Sequence, residues 1–538
     1  VRIRLGVKAK HQDEADVLVK ETKELIEERL KDYLVENPNL FEEVMKKIKY
    51  YILGLLVTCS VSSCEDYLTV LPENNQSSFE YWETKEDVEA VLAAGYVNLR
   101  SCVETFLLWG EARGNGLDYL STSGSDLQKA GRKLRDFDIL PDNKLCDYSK
   151  PYAAIAMANA VIKYASDVVE KDPSFDRNMC RSFMAEAFFQ RSLAYFYLVR
   201  TFKDTPFVVE PYVDDSAPYV MGKTDGTTIL KSCISDLETY LPNAKEFFPE
   251  VDNDDPINTK GRATQWGIHA LLADMYLWMG DYDNCISHCN SVISSGRVGL
   301  INNGFMNFFP GNSNEGIFEI QYSNPKSQTN SFQTWFKSSS DGYYKITEYV
   351  NGLFDMESND IRGLNYTYNA DGYIWKYLGV DKTTARAASE NDQNYIIYRL
   401  ADVLLMKAEA LIMQGHNEEA ADLIDRTRER AGLGETTLSD DRMVMLETLL
   451  VERQKEFFGE GKNWFDLLRI GLRSEQLNDT QYKTLFVEQA LKAVGASRQS
   501  LGRATLANSG SWYLPYSEDE LSKNPLLEQS DYYQSISN

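Results

Sequence analysis

Histidine is nearly missing from this chain: four residues in 538, at His11, His269, His288 and His416. That scarcity removes most metal centres built on imidazole. One short cluster, Cys285, His288 and Cys289, has ligand residue types within about one helical turn, but a structural metal site needs a fourth ligand. No fourth ligand is evident, and buried cysteine packs like a small hydrophobe, so the cluster reads as core. Basic charge is also in short supply. There are 56 Lys and Arg against 81 Asp and Glu, a formal net charge of -25, and no basic stripe offsets it. A nucleic-acid partner is thereby excluded, because its phosphates must be neutralised by Lys and Arg. The glycines of Gly110 to Gly116 lack phosphate-loop spacing. No apolar run approaches the ~20 residues that span a bilayer. The eight cysteines are too scattered to form the framework of a small disulfide-stapled domain, and pairing in an oxidising compartment is left open.

What is present begins with Met45 to Asp66, MKKIKYYILGLLVTCSVSSCED. Lys46, Lys47 and Lys49 precede the apolar run Tyr50 to Val57, and Ser60, Ser62 and Ser63 lead to Cys64. This is the order of a secretory signal. A cysteine after small residues resembles the lipobox of bacterial lipoproteins, and Cys64 is the expected lipid attachment site, better approached than Cys59. Glu65 and Asp66 resemble the acidic surface-export signal of Bacteroidetes lipoproteins. Residues 1–44 begin with Val1 and read as a charged amphipathic helix, expected to be a start-site extension or non-native segment. Residues 45–63 are the expected signal peptide and 64–538 the mature chain, one domain.

Beyond Pro72 the spacing predicts amphipathic helices over Glu86–Arg100, Pro151–Val169, Met179–Thr201 and Thr227–Tyr240. Leu271 to Cys285 can be laid without gaps on Met406 to Ala420. Ala273 then matches Ala408, Gly280 matches Gly415, and Cys285 matches Ala420. Helix, glycine turn, and helix with a small residue near its start is the tetratricopeptide pattern. With helix pairs at 151–201 and 442–473, the expected fold is mainly α. Repeats fill about 151–300 and 395–475, carrying a loop-rich insert of short strands at about 300–394. Within that insert Gly316 to Tyr322 reads as a strand. An irregular segment on a rigid scaffold is where binding residues gather.

Several segments together resemble the SusD/RagB family of outer-membrane nutrient-binding lipoproteins. They are Glu186 to Val199, Gly261-Arg-Ala-Thr, Gly316 to Gln321, Tyr398 to Ala410, Glu452 to Arg469 and Tyr513 to Pro525. The resemblance covers most of residues 64–538. It implies a tetratricopeptide-like scaffold, an extracellular position on the outer membrane, and a SusC-like TonB-dependent porin as partner. It also implies capture of an oligosaccharide or polysaccharide, without chemical change, for delivery through that porin. A non-glycan nutrient such as peptide, a glycoside hydrolase, and a scaffold that binds only protein are the alternatives. Within the motifs, Asp466 and Arg469 are spaced to pair on one helix face, and Glu452 and Glu456 are placed to brace Arg453 or neighbouring helices.

Sugar recognition needs aromatic platforms with planar hydrogen-bonding groups beside them. Two segments offer both, Leu108 to Tyr119 and the insert. The candidate ligand residues are Trp109, Arg113, Asn115, Trp335, Tyr343 and Trp375. No catalytic residue stands out, and no cofactor is expected. The run Asp252-Asn-Asp254-Asp255 has oxygen ligands for a structural calcium but lacks the glycine and distal Glu of an EF-hand loop.

Overall fold

Apolar residues at helical spacing, in many helices preceded by a capping side chain, account for most of the architecture. The computed structural model describes residues 81–119, 125–211, 220–250, 253–302, 305–337 and 343–537. The signal-like segment 45–63, Cys64, residues 1–44 and Asp252 lie outside them. Asp254 contributes backbone to a two-residue strand, and Asp255 caps the helix Pro256–Gly261 by accepting from the amides of Ile257 and Asn258.

The expected helices form with ends shifted by a residue or two: Lys85–Ser101, Ser149–Lys171, Arg177–Phe202 and Gly226–Tyr240. Thr84 and Asp87 cap the first reciprocally, each side chain accepting from the other's backbone. Val88 and Leu92 of that helix pack with Ala158, Val161 and Phe183 into one core cluster. Arg177–Phe202 is buried over nearly its whole length. A helix covered on all sides needs no polar face, and the polar residues it does bury are paired, Glu186 with Arg262, Arg191 with Asp236 and Arg200 with Asp274.

The internal repeat is real in three dimensions. Helices Gln265–Met279 and Tyr282–Ser294 are joined at Gly280, with φ 81°, and helices Leu400–Gln414 and Asn417–Arg430 at Gly415, with φ 85°. Both glycines take the left-handed conformation that ends a helix at low cost. Cys285 and Ala420, the matched small residues, are both fully buried. Cys285 lets the two units approach closely, its Sγ lying 4.0 Å from the Met406 carbonyl oxygen. All six described cysteines are buried free thiols. His288 turns from them toward His269 and Glu238, its Nδ1 lying 2.8 Å from His269 Nδ1 and its Nε2 3.0 Å from Glu238 Oε1.

The 442–473 stretch is two helices, Arg442–Phe457 and Asn463–Gln476, separated by Gly459 and Gly461 at φ 77° and 72°. The break serves a close approach: a Cβ on Gly110 would run into the Gly461 carbonyl. The strand Gly316–Ile320 forms as expected and pairs antiparallel with Tyr395–Arg399, both fully buried.

An ionic seam locks the insert to this scaffold. Arg399 donates to Glu315, Glu456 and Glu460, with Nη1 2.7 Å from Glu315 Oε1 and 2.6 Å from Glu456 Oε1. Arg362 from the insert binds Asp360, Glu452 and Glu456, while Arg430 reaches Glu315 and Glu456. Lys376 ends on Glu460 and on the Phe458 carbonyl oxygen. Burial by itself would push the Glu456 carboxyl up, but Arg430, Arg399 and Arg362 hold it well below the usual range. Glu452 and Glu456 therefore do not brace Arg453. That arginine instead pairs with Asp402 and Asp466, at 2.9 and 2.8 Å. The two glutamates brace neighbouring elements, Glu452 meeting Arg362 and Thr427, and Glu456 meeting Arg362, Arg399 and Arg430. Asp466 and Arg469 do pair along one helix face, at 2.8 Å.

Candidate functional site

Four of the six candidate ligand residues are buried, and Trp109, Arg113 and Asn115 direct polar groups to partners inside the fold. Trp109 is 2% exposed, donates from Nε1 to the Leu145 carbonyl at 2.8 Å, and meets Phe202 edge to face. Arg113 lies over the Trp464 ring at 4.1 Å and donates to the backbone carbonyls of Trp512 and Ser511. Burial pulls its guanidinium down to about 10. Asn115 donates to the Gln489 carbonyl at 2.8 Å and accepts from Gln454 at 2.5 Å. Trp335 is buried against Phe332, with ring centroids 5.4 Å apart. The sequence reading is corrected for these four. The helix Val103–Glu111 is enclosed on every side, so its aromatic and polar residues build core rather than a platform.

The two suspected segments nevertheless meet. Strand Leu117–Tyr119 pairs antiparallel with Tyr344–Ile346, aligning Leu117 with Ile346, Asp118 with Lys345, and Tyr119 with Tyr344. A further antiparallel bridge joins Lys345 to Tyr373. Side chains alternate across such a layer. Leu117, Tyr119, Tyr344, Ile346 and Ile374 are buried, and Asp118, Tyr343, Lys345, Tyr373 and Trp375 are the half-buried set. The outward row is therefore Asp118, Lys345, Tyr373. Tyr343 and Trp375, the remaining two candidates, each lie two residues beyond the Lys345–Tyr373 bridge, with the Tyr343 amide donating to the Trp335 carbonyl and the Trp375 amide to that of Thr367.

This face stands on a stiff base. Tyr344 packs between Tyr119 and Phe336, and Phe336 stacks on Tyr377 at 5.2 Å. Tyr377 donates to the Gly459 carbonyl at 2.9 Å, so the layer below the face is tied to the ionic seam. Trp375 is held in orientation by its own Nε1, which donates to the Asp381 carbonyl at 2.9 Å, and by its amide, which donates to Thr367 at 2.8 Å. A ring fixed this way has little rotamer freedom left to lose on contact with a flat ligand. Asp118 is tied to Arg135, whose guanidinium also lies 5.2 Å over the Tyr119 ring. Lys345 and Arg135 were missed by reading composition. The alternation Tyr343, Tyr344, Lys345, Ile346 was the available signal for Lys345.

Comparison with known proteins agrees with this architecture. A sequence model described as "SusD family" matches residues 314–533. Another, described as "Starch-binding associating with outer membrane", matches residues 66–277. SusD-like protein P38 of Formosa agariphila is 25% identical over 486 residues, covering 79% of this chain and 92% of that protein. Among solved structures, a laminarin binding SusD-like protein superposes with a TM-score of 0.65 at 21% identity, covering 84% of this chain and all of that one. Surface glycan-binding protein A from Bacteroides uniformis gives a TM-score of 0.67 at 20% identity, with coverage of 84% and 100%. At these identities the superpositions speak for the fold.

Proposed function

The chain belongs to the SusD/RagB family, and from that premise we propose that it captures saccharide chains at the outer membrane on the face of Tyr343, Tyr373 and Trp375. The observation that supports this reading is the Lys345–Tyr373 bridge between two segments that carry the half-exposed rings of Tyr343, Tyr373 and Trp375, with the Trp375 indole held by the Asp381 carbonyl. Flat apolar faces with polar edges suit the axial C–H faces of sugar rings, and neighbouring Lys345 and Asp118 supply hydrogen bonds. The two glycan-binding relatives above share the fold, which supports the ligand class. In this reading the protein binds without cleaving. It is tethered through Cys64 and hands its ligand to a SusC-like TonB-dependent porin.

Isothermal titration against a panel of oligosaccharides and polysaccharides tests the proposal. At least one member is expected to bind wild type, and about tenfold more weakly in Trp375→Ala. Silence across the panel, or binding indifferent to that change, contradicts it. Chromatography of the same mixtures should return intact sugars, and released products would point to a hydrolase. For the tether, Cys64→Ala expressed without a porin partner is expected to leave the outer-membrane fraction.

A further inference from the structure

Two histidines meet at one corner of the helical scaffold, away from the aromatic face. His269 belongs to helix Gln265–Met279 and His288 to helix Tyr282–Ser294. Their Nδ1 atoms lie 2.8 Å apart. The other His288 nitrogen, Nε2, lies 3.0 Å from Glu238 Oε1, on helix Gly226–Tyr240. The Tyr276 hydroxyl donates to the same carboxylate oxygen at 3.0 Å. Aromatic rings stack on both imidazoles, Trp266 on His269 and Tyr276 on His288. One chain of hydrogen bonds thus ties three helices together.

A bond between two ring nitrogens needs one N–H and one lone pair. Glu238 accepts from His288 Nε2, so in the neutral pair His288 Nδ1 is the acceptor and His269 Nδ1 the donor. One added proton is tolerated. His288 then carries N–H on both nitrogens, donates to His269 Nδ1, and has its charge answered by Glu238. A second added proton is not. Both Nδ1 atoms would then carry hydrogen, face to face at bonding distance, and two cations would stand together in a largely buried corner.

Desolvation, and then the facing His288, pull His269 down from its ordinary value near 6.5 to about 4, against the opposing influence of Glu238. The other titratable groups here do not take up the extra charge. Tyr276 is pushed up by burial and by its bond to Glu238. Asp281 caps the His288 helix by accepting from the Asn284 amide. Asp236, on the Glu238 helix, pairs with Arg191 at 2.8 Å. Cys285 and Cys289, on the His288 helix, are buried thiols.

We propose that this corner is an acid-operated joint: the proton shared between His269 and His288 holds the three helices together near neutral pH, and a further proton on the pair opens them. An open corner frees His269 to titrate as an ordinary imidazole, so it binds more protons than the closed one between about pH 6.5 and 4. Closure is therefore fully present above 6.5 and is lost progressively as pH falls toward 4.

Hydrogen–deuterium exchange of the full chain at pH 7 and pH 5, corrected for the intrinsic pH dependence of amide exchange, tests the joint. Peptides covering 238–248 and 265–270 are expected to lose about tenfold in protection at pH 5, relative to peptides of Leu400–Gln414. His269→Gln can hydrogen-bond but cannot take up a proton, and should abolish that loss. Glu238→Gln removes the counter-charge from the singly protonated pair and should move the loss to higher pH, a shift that packing alone would not produce. Equal protection at pH 7 and pH 5 in wild type overturns the proposal. So does a loss of the same size in His269→Gln, or a Glu238→Gln profile that matches wild type. If His269→Gln does not fold, the wild-type comparison and the direction of the Glu238→Gln shift decide.

Discussion

Two stretches of this chain look alike on paper, Leu108–Tyr119 and Tyr343–Trp375. Each mixes tryptophan or tyrosine with arginine, asparagine, lysine or aspartate. In the fold they do opposite work. Trp109, Arg113 and Asn115 each find hydrogen-bond partners inside the fold: Leu145, Ser511 and Trp512, Gln489 and Gln454. Between Tyr343 and Trp375 the same residue types alternate, with Tyr344 and Ile374 turned in and Tyr343, Lys345, Tyr373 and Trp375 partly open. Composition marks both as binding-competent, but only the register of a strand decides which side chains solvent can reach.

That contrast predicts separable effects, and the largest belongs to the seam that holds the two stretches together. Arg399→Met leaves Glu315, Glu456 and Glu460 short of their shared buried cation. Removing one partner of a buried pair costs about 3–5 kcal/mol, so chemical denaturation should show a large loss of stability, or the variant should fail to fold. In the closed stretch, Arg113→Ala removes a buried stack on Trp464 and two hydrogen bonds. It is expected to cost about 2–4 kcal/mol and to leave saccharide affinity of the surviving folded protein unchanged. The open stretch should behave the other way. Trp375→Ala should weaken binding about tenfold, equivalent to ~1.4 kcal/mol, with stability moved by less than about 1 kcal/mol. If Arg113→Ala abolished binding in a protein that remained folded, the division between the stretches would fail.

A smaller effect is expected from pH. Glu111 is fully buried, and desolvation pushes its carboxyl up to about 8, against the lowering influence of the Gly461 amide. A raised acid favours folding only while protonated, so its contribution is lost as pH climbs from about 4.5 through 8. Glu111→Gln keeps an acceptor for Gly461 and cannot ionise. Its thermal midpoint should exceed wild type at pH 9 and match it at pH 4. The ion pairs of Asp402 with Lys462 and Arg453 have the opposite sign. Asp402, held down to about 2 by Lys462 and Arg453 against burial, stabilises above its ordinary range near 3.8, and that stability is lost as pH falls toward 2.

Much of the scaffold was legible because helical periodicity is local. The ends of Lys85–Ser101 and Arg177–Phe202, and the glycine turns at Gly280 and Gly415, follow from residues within one or two turns of each other. The pairing of Asp466 with Arg469 was legible for the same reason. The partners of Glu452 and Glu456 were not, since Arg362 lies 90 or more residues away and nothing nearby in sequence points to it. Of the candidate residues Tyr343 and Trp375 stay half-exposed, and the bridge between Lys345 and Tyr373 that joins their segments is something only the fold supplies. Trp109 and Trp335 carried the same chemistry and are core, because burial is decided by what packs against a residue rather than by its type.

Hydrogen–deuterium exchange with and without a bound saccharide tests the central claim most directly, since it reports both stretches in one experiment. Protection confined to peptides containing residues 343–346 and 372–386, with no change over 105–119, is the predicted result. Protection elsewhere on the surface, with 343–346 and 372–386 unaffected, would contradict it.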